Sequence, residues 1–383
     1  MRGQISFIHV LRGVAALLVV WAHLGAYWLF TVGGTSALQD LWRTTVAAPL
    51  RLYQDGGYLG VVLFFLISGY IVTHASLSET RTSFVTKRVL RIFPPLAFAL
   101  AVLWSLMHLM PALGVPMSAF PGGPPARWVQ SLLLLDFLTP GTRVLSVTWT
   151  LASEMVFYVM VLAALVVQRS RPLAATLVMG AGWALACWLV VASAFGLPPT
   201  PEAAGILMLV GVLLVGRCTY LVHARLVAPA AGVALATVVA VLVAVFQEAW
   251  SPGFLLDRAD TPGEPVVAYA MAVAVFVGML VWSPRRAARP LAWLGDISYS
   301  LYLLHMPVGF AVLGVLHRLD VPSSLATILG VAASLAAAHV SYRLVERPSQ
   351  RLARDLLRRG PVLVAAPVTT PRGTGSTPRS PAG

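Results

Sequence analysis

Apolar residues along this chain run in long blocks, separated by short joints that are basic, acidic or rich in proline and glycine. A helix of about 20 apolar residues, rising about 1.5 Å each, crosses the hydrocarbon of a bilayer. Ten blocks approach that length, at roughly 10–30, 57–76, 92–112, 147–168, 173–195, 203–217, 226–246, 266–283, 293–316 and 323–343, of which 203–217 is the shortest. The pattern predicts an all-α, polytopic transmembrane bundle of about ten spans. Val129–Leu138 is also apolar but makes only ~15 Å of helix, so it reads as a re-entrant or interfacial piece on the outer side. No period of a repeat protein is visible. Residues 1–350 form the predicted membrane domain. The basic stretch 351–383, which turns rich in Pro, Gly, Ser and Thr, is expected to be a disordered cytoplasmic tail.

Composition supports the membrane reading. The chain is 58% hydrophobic and 11% charged, against about 25% charged in a soluble domain, and its mean hydropathy is +0.82. The 27 Lys and Arg against 14 Asp and Glu give a net charge of +13. That excess flanks the apolar blocks and forms no soluble basic face, which fits orientation of a membrane protein and not binding to nucleic acid. With the N-terminus inside, Arg81, Lys87, Arg88, Arg91, Arg169, Arg171, Arg217, Arg225, Arg285, Arg286, Arg289 and the run Arg343–Arg359 fall on inner loops. Asp40, Asp55, Glu202, Asp257, Asp260 and Glu264 fall outside. An N-in, C-in, multi-pass protein of the inner (plasma) membrane is expected, with its first block retained as a helix and not cleaved as a signal. Cys187 and Cys218 supply neither a disulfide framework nor metal-ligand spacing.

Several polar residues interrupt the apolar blocks. Arg12 and His23 lie eleven residues apart in the first block, a separation that returns to nearly the same helix face over ~16 Å. One cation is placed at a membrane surface and one imidazole near mid-bilayer, where ionisable groups are expensive and functional unless hydrogen-bonded as core. Glu154 begins the fourth block, ~7 Å below the outer interface, and must be protonated or partnered there. Ser298, Tyr302 and His305 share a face of the ninth block at i, i+4, i+7, and Asp296 stands at that helix's start, where an acid is favoured. Arg88 and Arg91 precede the third block, with Pro94 and Pro95 at its first turn; they read either as an anion site or as ordinary positive-inside flanking. Ser68 and Gly69 fit close helix packing. Two mid-membrane histidines and a carboxylate on a third helix describe a polar central cavity.

In this order the segments resemble the acyltransferase-3 family of integral membrane acyltransferases. The resemblance rests on the Arg12–His23 pair, the stretch Phe64–Tyr70, and Arg88, Arg91 and Pro94. It extends through Trp149, Glu154, Phe157 and Tyr158, then Ser298, Tyr299, Tyr302 and His305, then Tyr342, Glu346 and Pro348. It covers about residues 5–350. It implies transfer of an acyl group, most often acetyl, from acyl-CoA to a hydroxyl of a carbohydrate or of another cell-surface or secondary-metabolite acceptor. By that resemblance His23 and Glu154 are the expected catalytic pair, with Glu154 orienting His23 as general base or steadying its protonated form. Arg12, Arg88 and Arg91, with the Arg285–Arg289 cluster, are expected to take the CoA phosphates. Ser298, Tyr302 and His305 are expected to meet substrate, with interhelical hydrogen bonding as the alternative for Tyr302 and His305. No metal is expected. The rival reading is a transporter or flippase that uses the buried His and Glu as a proton relay, although no repeated half accompanies it. The outer loops 31–56, 113–147 and 248–265 carry no recognisable code for the acceptor.

Overall fold

The computed structural model describes residues 6–117, 119–136, 143–191, 201–254, 264–282 and 289–359, and among them the chain is all-α. Helix α1 (Ser6–Trp21) passes through a π-turn (Ala22–Tyr27) into α2 (Trp28–Val32), so one rod carries both Arg12 and His23. A short α3 (Ala37–Trp42) and a tight turn at Tyr53–Gly56 lead into α4 (Gly57–Ser76), followed by α5 (Arg81–Leu109) and the short α6 (Pro125–Leu132). Next come α7 (Thr148–Ala164), α8 (Val167–Ser170), α9 (Pro172–Val191), α10 (Pro201–His223), α11 (Pro229–Phe254) and α12 (Pro265–Trp282). The long α13 (Arg289–Arg318) and α14 (Ser323–Ser341) follow, and a second π-turn (Tyr342–Glu346) joins α14 to α15 (Arg347–Arg359). Among the described residues nine helices are long and apolar enough to cross a membrane, and α7, at 17 residues, is a shorter apolar helix. Each of the ten lies on one of the ten apolar blocks. Helix α6 is too short to cross, as its eight residues require.

Contacts sort the helix ends into two layers. At one end His9 of α1 meets Asp296 of α13 at 3.3 Å, and His74 of α4 meets Tyr220 of α10 at 2.9 Å. Arg81, Lys87, Arg169, Arg225 and the arginines of α15 gather here, so this is the basic end. At the other end Ser36 meets Ser324 at 3.0 Å and Ser146 meets Met306 at 3.1 Å. Helices α4, α10 and α13 form the centre, with 78%, 78% and 67% of their apolar windows buried, whereas α5, α11 and α12, at 22% each, face outward. Gly69 of α4 and Gly216 of α10 let two backbones touch: a methyl group on either would strike a carbonyl of the opposite helix, that of Leu213 or Leu66.

Four expectations change. The block 203–217 belongs to a longer helix, α10, and Arg217 lies inside it, not in a loop. Arg217 is fully buried, donating from Nε to Thr176 and from Nη1 to Gln168, each at 2.9 Å. A helix enclosed by others needs no lipid-facing length of its own, so hydropathy underestimates it. The third helix starts at Arg81, capped by Thr80, whose hydroxyl accepts from the Ser83 amide at 3.2 Å. Pro94 and Pro95 therefore sit within α5 and not at its first turn, because helical propensity extends beyond the apolar stretch that fixed the boundary. Helix order also continues past residue 350, through α15, which packs on α5. Finally, the expected orienting contact of Glu154 on His23 is replaced, as described below. Arg285, Arg286, Asp257, Asp260 and the tail beyond 359 lie outside the described residues.

Candidate active site

Two neighbouring cavities lie between α1, α4, α7 and α13. The one toward the basic end has a volume of about 70 Å³ and is lined by Arg12, Ser68, Arg91, Glu154, Ser298 and Tyr299, among others. Its charged groups are fixed by named hydrogen bonds. Arg12 donates from Nε and Nη2 to Ser298 Oγ at 3.1 and 2.8 Å, and Ser298 passes its own proton to the Gly295 carbonyl at 2.8 Å. The i to i+4 face of α13 thus begins with the hydroxyl that holds Arg12. Glu154 receives Ser68 Oγ at 2.6 Å on one oxygen and Tyr158 OH at 2.9 Å on the other. The adjacent residues Ser68 and Gly69 therefore divide the work: the glycine packs against α10, and the serine holds the carboxylate. Tyr299 ties α13 to α5 through the Ile92 carbonyl at 3.0 Å, one residue beyond Arg91.

Arg88 is placed elsewhere. It is buried beside Glu79, with Nη2 at 3.5 Å, and its guanidinium lies 4.6 Å from the Phe84 ring and 5.6 Å from that of Tyr158. Lys87 reaches the same Glu79 at 2.8 Å. Arg88 and Arg91 share a helix face only in part, and the difference separates a structural ion pair from a cavity-lining cation.

The second cavity, on the side of the opposite end, has a volume of about 340 Å³. His23, Tyr27, Gln54, Arg143, Trp149 and Tyr302 are among its lining residues, and none of that lining is acidic. His23 sits in the π-turn that joins α1 to α2, a widened helical turn of the kind found at functional sites. His305 of α13 is fully buried next to it, with the two rings 5.0 Å apart at 63°. Their tautomers follow from the acceptors around them. His305 Nδ1 lies 2.8 Å from the Tyr302 carbonyl and 3.1 Å from that of Leu301. A carbonyl only accepts, so Nδ1 carries the proton and Nε2 the lone pair. That lone pair faces His23 Nδ1 at 3.3 Å, and the same Nδ1 lies 2.8 Å from the Val19 carbonyl. His23 Nδ1 is therefore protonated, which puts its lone pair on Nε2.

Tyr302 and Val61 line both cavities. Thr150 gives its proton to the Val147 carbonyl at 2.8 Å, so the Tyr302 phenol donates to Thr150 Oγ1, also at 2.8 Å. The Tyr302 ring stands edge-on to Phe64, 5.9 Å away. The shared wall is thus pinned at both its hydroxyl and its ring.

The structure brings together Arg12, Arg91, Glu154, Ser298 and Tyr302 around one cavity, and His23 and Tyr302 around the other with His305 behind His23. The His305 ring stands next to His23, with Nε2 3.3 Å from His23 Nδ1, while Glu154 lines the first cavity. Sequence reasoning missed Gln54, Arg143 and Thr150. Gln54 had a signal in the turn-forming run Asp55–Gly57. Gln54 and Asp55 take φ of 52° and 55°, and buried Asp55 is clamped by Arg43 at 3.1 and 3.2 Å. Thr150 had one in its place within the Trp149–Tyr158 motif, and Arg143 had none. Glu346, of the last motif, is buried in the second π-turn and accepts from Ser300 at 2.7 Å and Gln350 at 3.2 Å. Among the described residues no group of three or more His, Cys, Asp or Glu is placed to hold a metal ion.

Comparison with known proteins agrees with this arrangement of motifs. A family model described as an acyltransferase domain matches residues 5–343. The exopolysaccharide production protein ExoZ of Rhizobium meliloti is 29% identical over 317 residues, covering 79% of this chain and 90% of that protein. The peptidoglycan O-acetyltransferase OatA of Listeria monocytogenes is 25% identical over 383 residues, covering 91% of this chain but 56% of its own length. No solved structure matches. A multi-pass helical bundle, the motifs set around adjoining cavities, and a match over nearly the whole chain lead to one assignment: the protein belongs to the acyltransferase-3 family and is a membrane acyltransferase.

Proposed function

We propose that the protein moves an acyl group, acetyl in the simplest case, from acyl-CoA to a hydroxyl of a carbohydrate or similar acceptor at the cell envelope. The relatives named for exopolysaccharide production and peptidoglycan O-acetylation point the same way. In this reading the basic end faces the cytoplasm of a plasma-membrane protein, following the charge bias of the loops. The donor, whose phosphates cannot cross lipid, arrives there. Arg12 and Arg91 draw its charged and polar groups into the small cavity, each guanidinium offering a fork of donors. Glu154, held by Ser68 and Tyr158, balances the two cations and keeps them in place. The acceptor enters the larger cavity, where Tyr27 and Trp149 give flat apolar surfaces and Gln54 and Arg143 give polar ones.

His23 Nε2 takes the proton of the acceptor hydroxyl, and the oxygen attacks the thioester carbonyl. The carbon–sulfur bond breaks, the thiolate leaves as CoA and takes up that proton as a thiol, and an ester is formed. A base in this position contributes typically ~10²–10⁴-fold. The reading is carried by one observation: His23 lines the larger cavity while its Nδ1 is engaged by the Val19 carbonyl and His305.

Purified protein incubated with radiolabelled acetyl-CoA and a panel of envelope polysaccharides and their oligosaccharides tests it. Label should pass to an acceptor in the wild type and fail to do so in His23→Ala. A correctly folded His23→Ala that transfers at the normal rate would remove the base, and consumption of no thioester with any acceptor would remove the donor.

A further inference from the structure

We propose that His305 is the positioning residue of this centre: a buried histidine whose Nε2 faces His23 Nδ1, aims the His23 ring and shares the charge His23 gains during transfer. The inference rests on the reading of His23 as base. A histidine that takes a proton becomes an imidazolium, and such centres ordinarily set a carboxylate behind it. Here no acidic residue among the described ones lines the cavity of His23, and Glu154 is held by Ser68 and Tyr158 in the neighbouring one.

Several titratable and charged groups among the described residues stand near His23. Tyr27, from its own π-turn, has its ring 6.3 Å away. Tyr302 and His305 come from α13, and Arg143 from the segment before α7. Among them His305 presents a lone pair to His23 Nδ1, beside the Val19 carbonyl. That lone pair is fixed in place, because the opposite ring nitrogen donates to helix carbonyls, and His305 has no exposed surface. From α14, Ser334 reaches the backbone carbonyl of His305 at 3.3 Å and so steadies the turn that carries the ring.

His305 therefore contacts His23 and not the substrate. As His23 Nε2 gains the acceptor's proton, the shared Nδ1 proton stays on His23, and its attraction to the His305 lone pair and the Val19 carbonyl strengthens. In this proposal no proton passes to His305, whose Nδ1 stays bonded to the Leu301 and Tyr302 carbonyls.

Steady-state kinetics with acetyl-CoA and the envelope saccharide that takes up label in that panel test this. His305→Leu should lower kcat roughly tenfold or more while leaving the KM for acetyl-CoA unchanged. It should also move the acid limb of the kcat–pH profile to lower pH by about half to one unit, because an imidazolium without its neighbour is less stable. His305→Gln, whose amide oxygen can take the same Nδ1 proton, should restore most of kcat and return the limb toward its original position. In a His23→Ala background, His305→Leu should change the residual rate no further. A folded His305→Leu enzyme with wild-type kcat and an unmoved limb overturns the proposal, as does a limb displaced to higher pH. If the leucine variant does not fold, His305→Gln decides alone: a loss as large as that of His23→Ala overturns the proposal. Full activity in His23→Ala would instead sink the base itself.

Discussion

The two cavities offer unlike environments to the proposed chemistry. The one toward the basic end is small, about 70 Å³, enough for only a few waters, and its charges are held by fixed bonds from Ser298, Ser68 and Tyr158. The other, about 340 Å³, falls in the range of preformed small-molecule sites and contains aromatic rings, an amide, an arginine and one imidazole. The lesson is that the charged group of Arg12, Arg91 and Glu154 and the imidazole of His23, read along the sequence as one polar chamber, are separated by a wall of Tyr302 and Val61. The tight, charged cavity has room for only a small part of a donor, whereas the larger one has room for a sugar-sized guest. Reaction requires the two to communicate through that wall.

Substitutions break the comparison at different strengths. His23→Ala should have the largest effect, a loss of transfer of about 10²–10⁴-fold with donor binding unaffected, checked by single-turnover transfer beside equilibrium binding of acetyl-CoA. Arg91→Ala removes a charge-assisted contact from the small cavity, so it should raise the KM for acetyl-CoA by roughly 10–100-fold and change the KM for acceptor little. Tyr302→Phe deletes only the bond to Thr150, of about 1 kcal/mol. It should loosen the shared wall and raise hydrolysis of the thioester relative to transfer by about fivefold, read from free acetate against product. Arg88→Ala should leave the KM for acetyl-CoA unchanged while lowering Tm, because its partners are Glu79, Phe84 and Tyr158 and not the cavity. A KM effect of Arg88→Ala as large as that of Arg91→Ala would place the donor differently.

Much of the fold is legible in the pattern, because crossing a bilayer imposes a length and an apolarity that single segments display by themselves. All ten blocks carry helices. Legibility fails where a boundary or a partner depends on another segment. Helix α5 begins at Arg81 because of a Thr80 cap and polar residues that propagate a helix as well as apolar ones do. Arg217 reads as a loop cation until Thr176 and Gln168 arrive from α8 and α9 to bury it.

The site shows the same division. The shared face of Ser298, Tyr302 and His305, and that of Arg12 and His23, follow from helical spacing. Which residue faces which across the bundle does not. Spacing cannot foretell that His305 stands against His23, that Ser68 claims Glu154, or that Arg88 turns to Glu79 while Arg91, three residues on, turns inward. The π-turn at Ala22–Tyr27 is equally silent in the sequence, yet it carries the His23 side chain.

Separation of donor binding from base catalysis is tested most directly by titrating acetyl-CoA into purified His23→Ala and Arg91→Ala proteins by calorimetry, with the wild type alongside. His23→Ala should bind acetyl-CoA with the wild-type Kd although it cannot transfer, and Arg91→Ala should bind roughly 10–100-fold more weakly. Equal weakening by both substitutions would mean a single site holds imidazole, guanidinium and thioester together, contrary to the two-cavity arrangement.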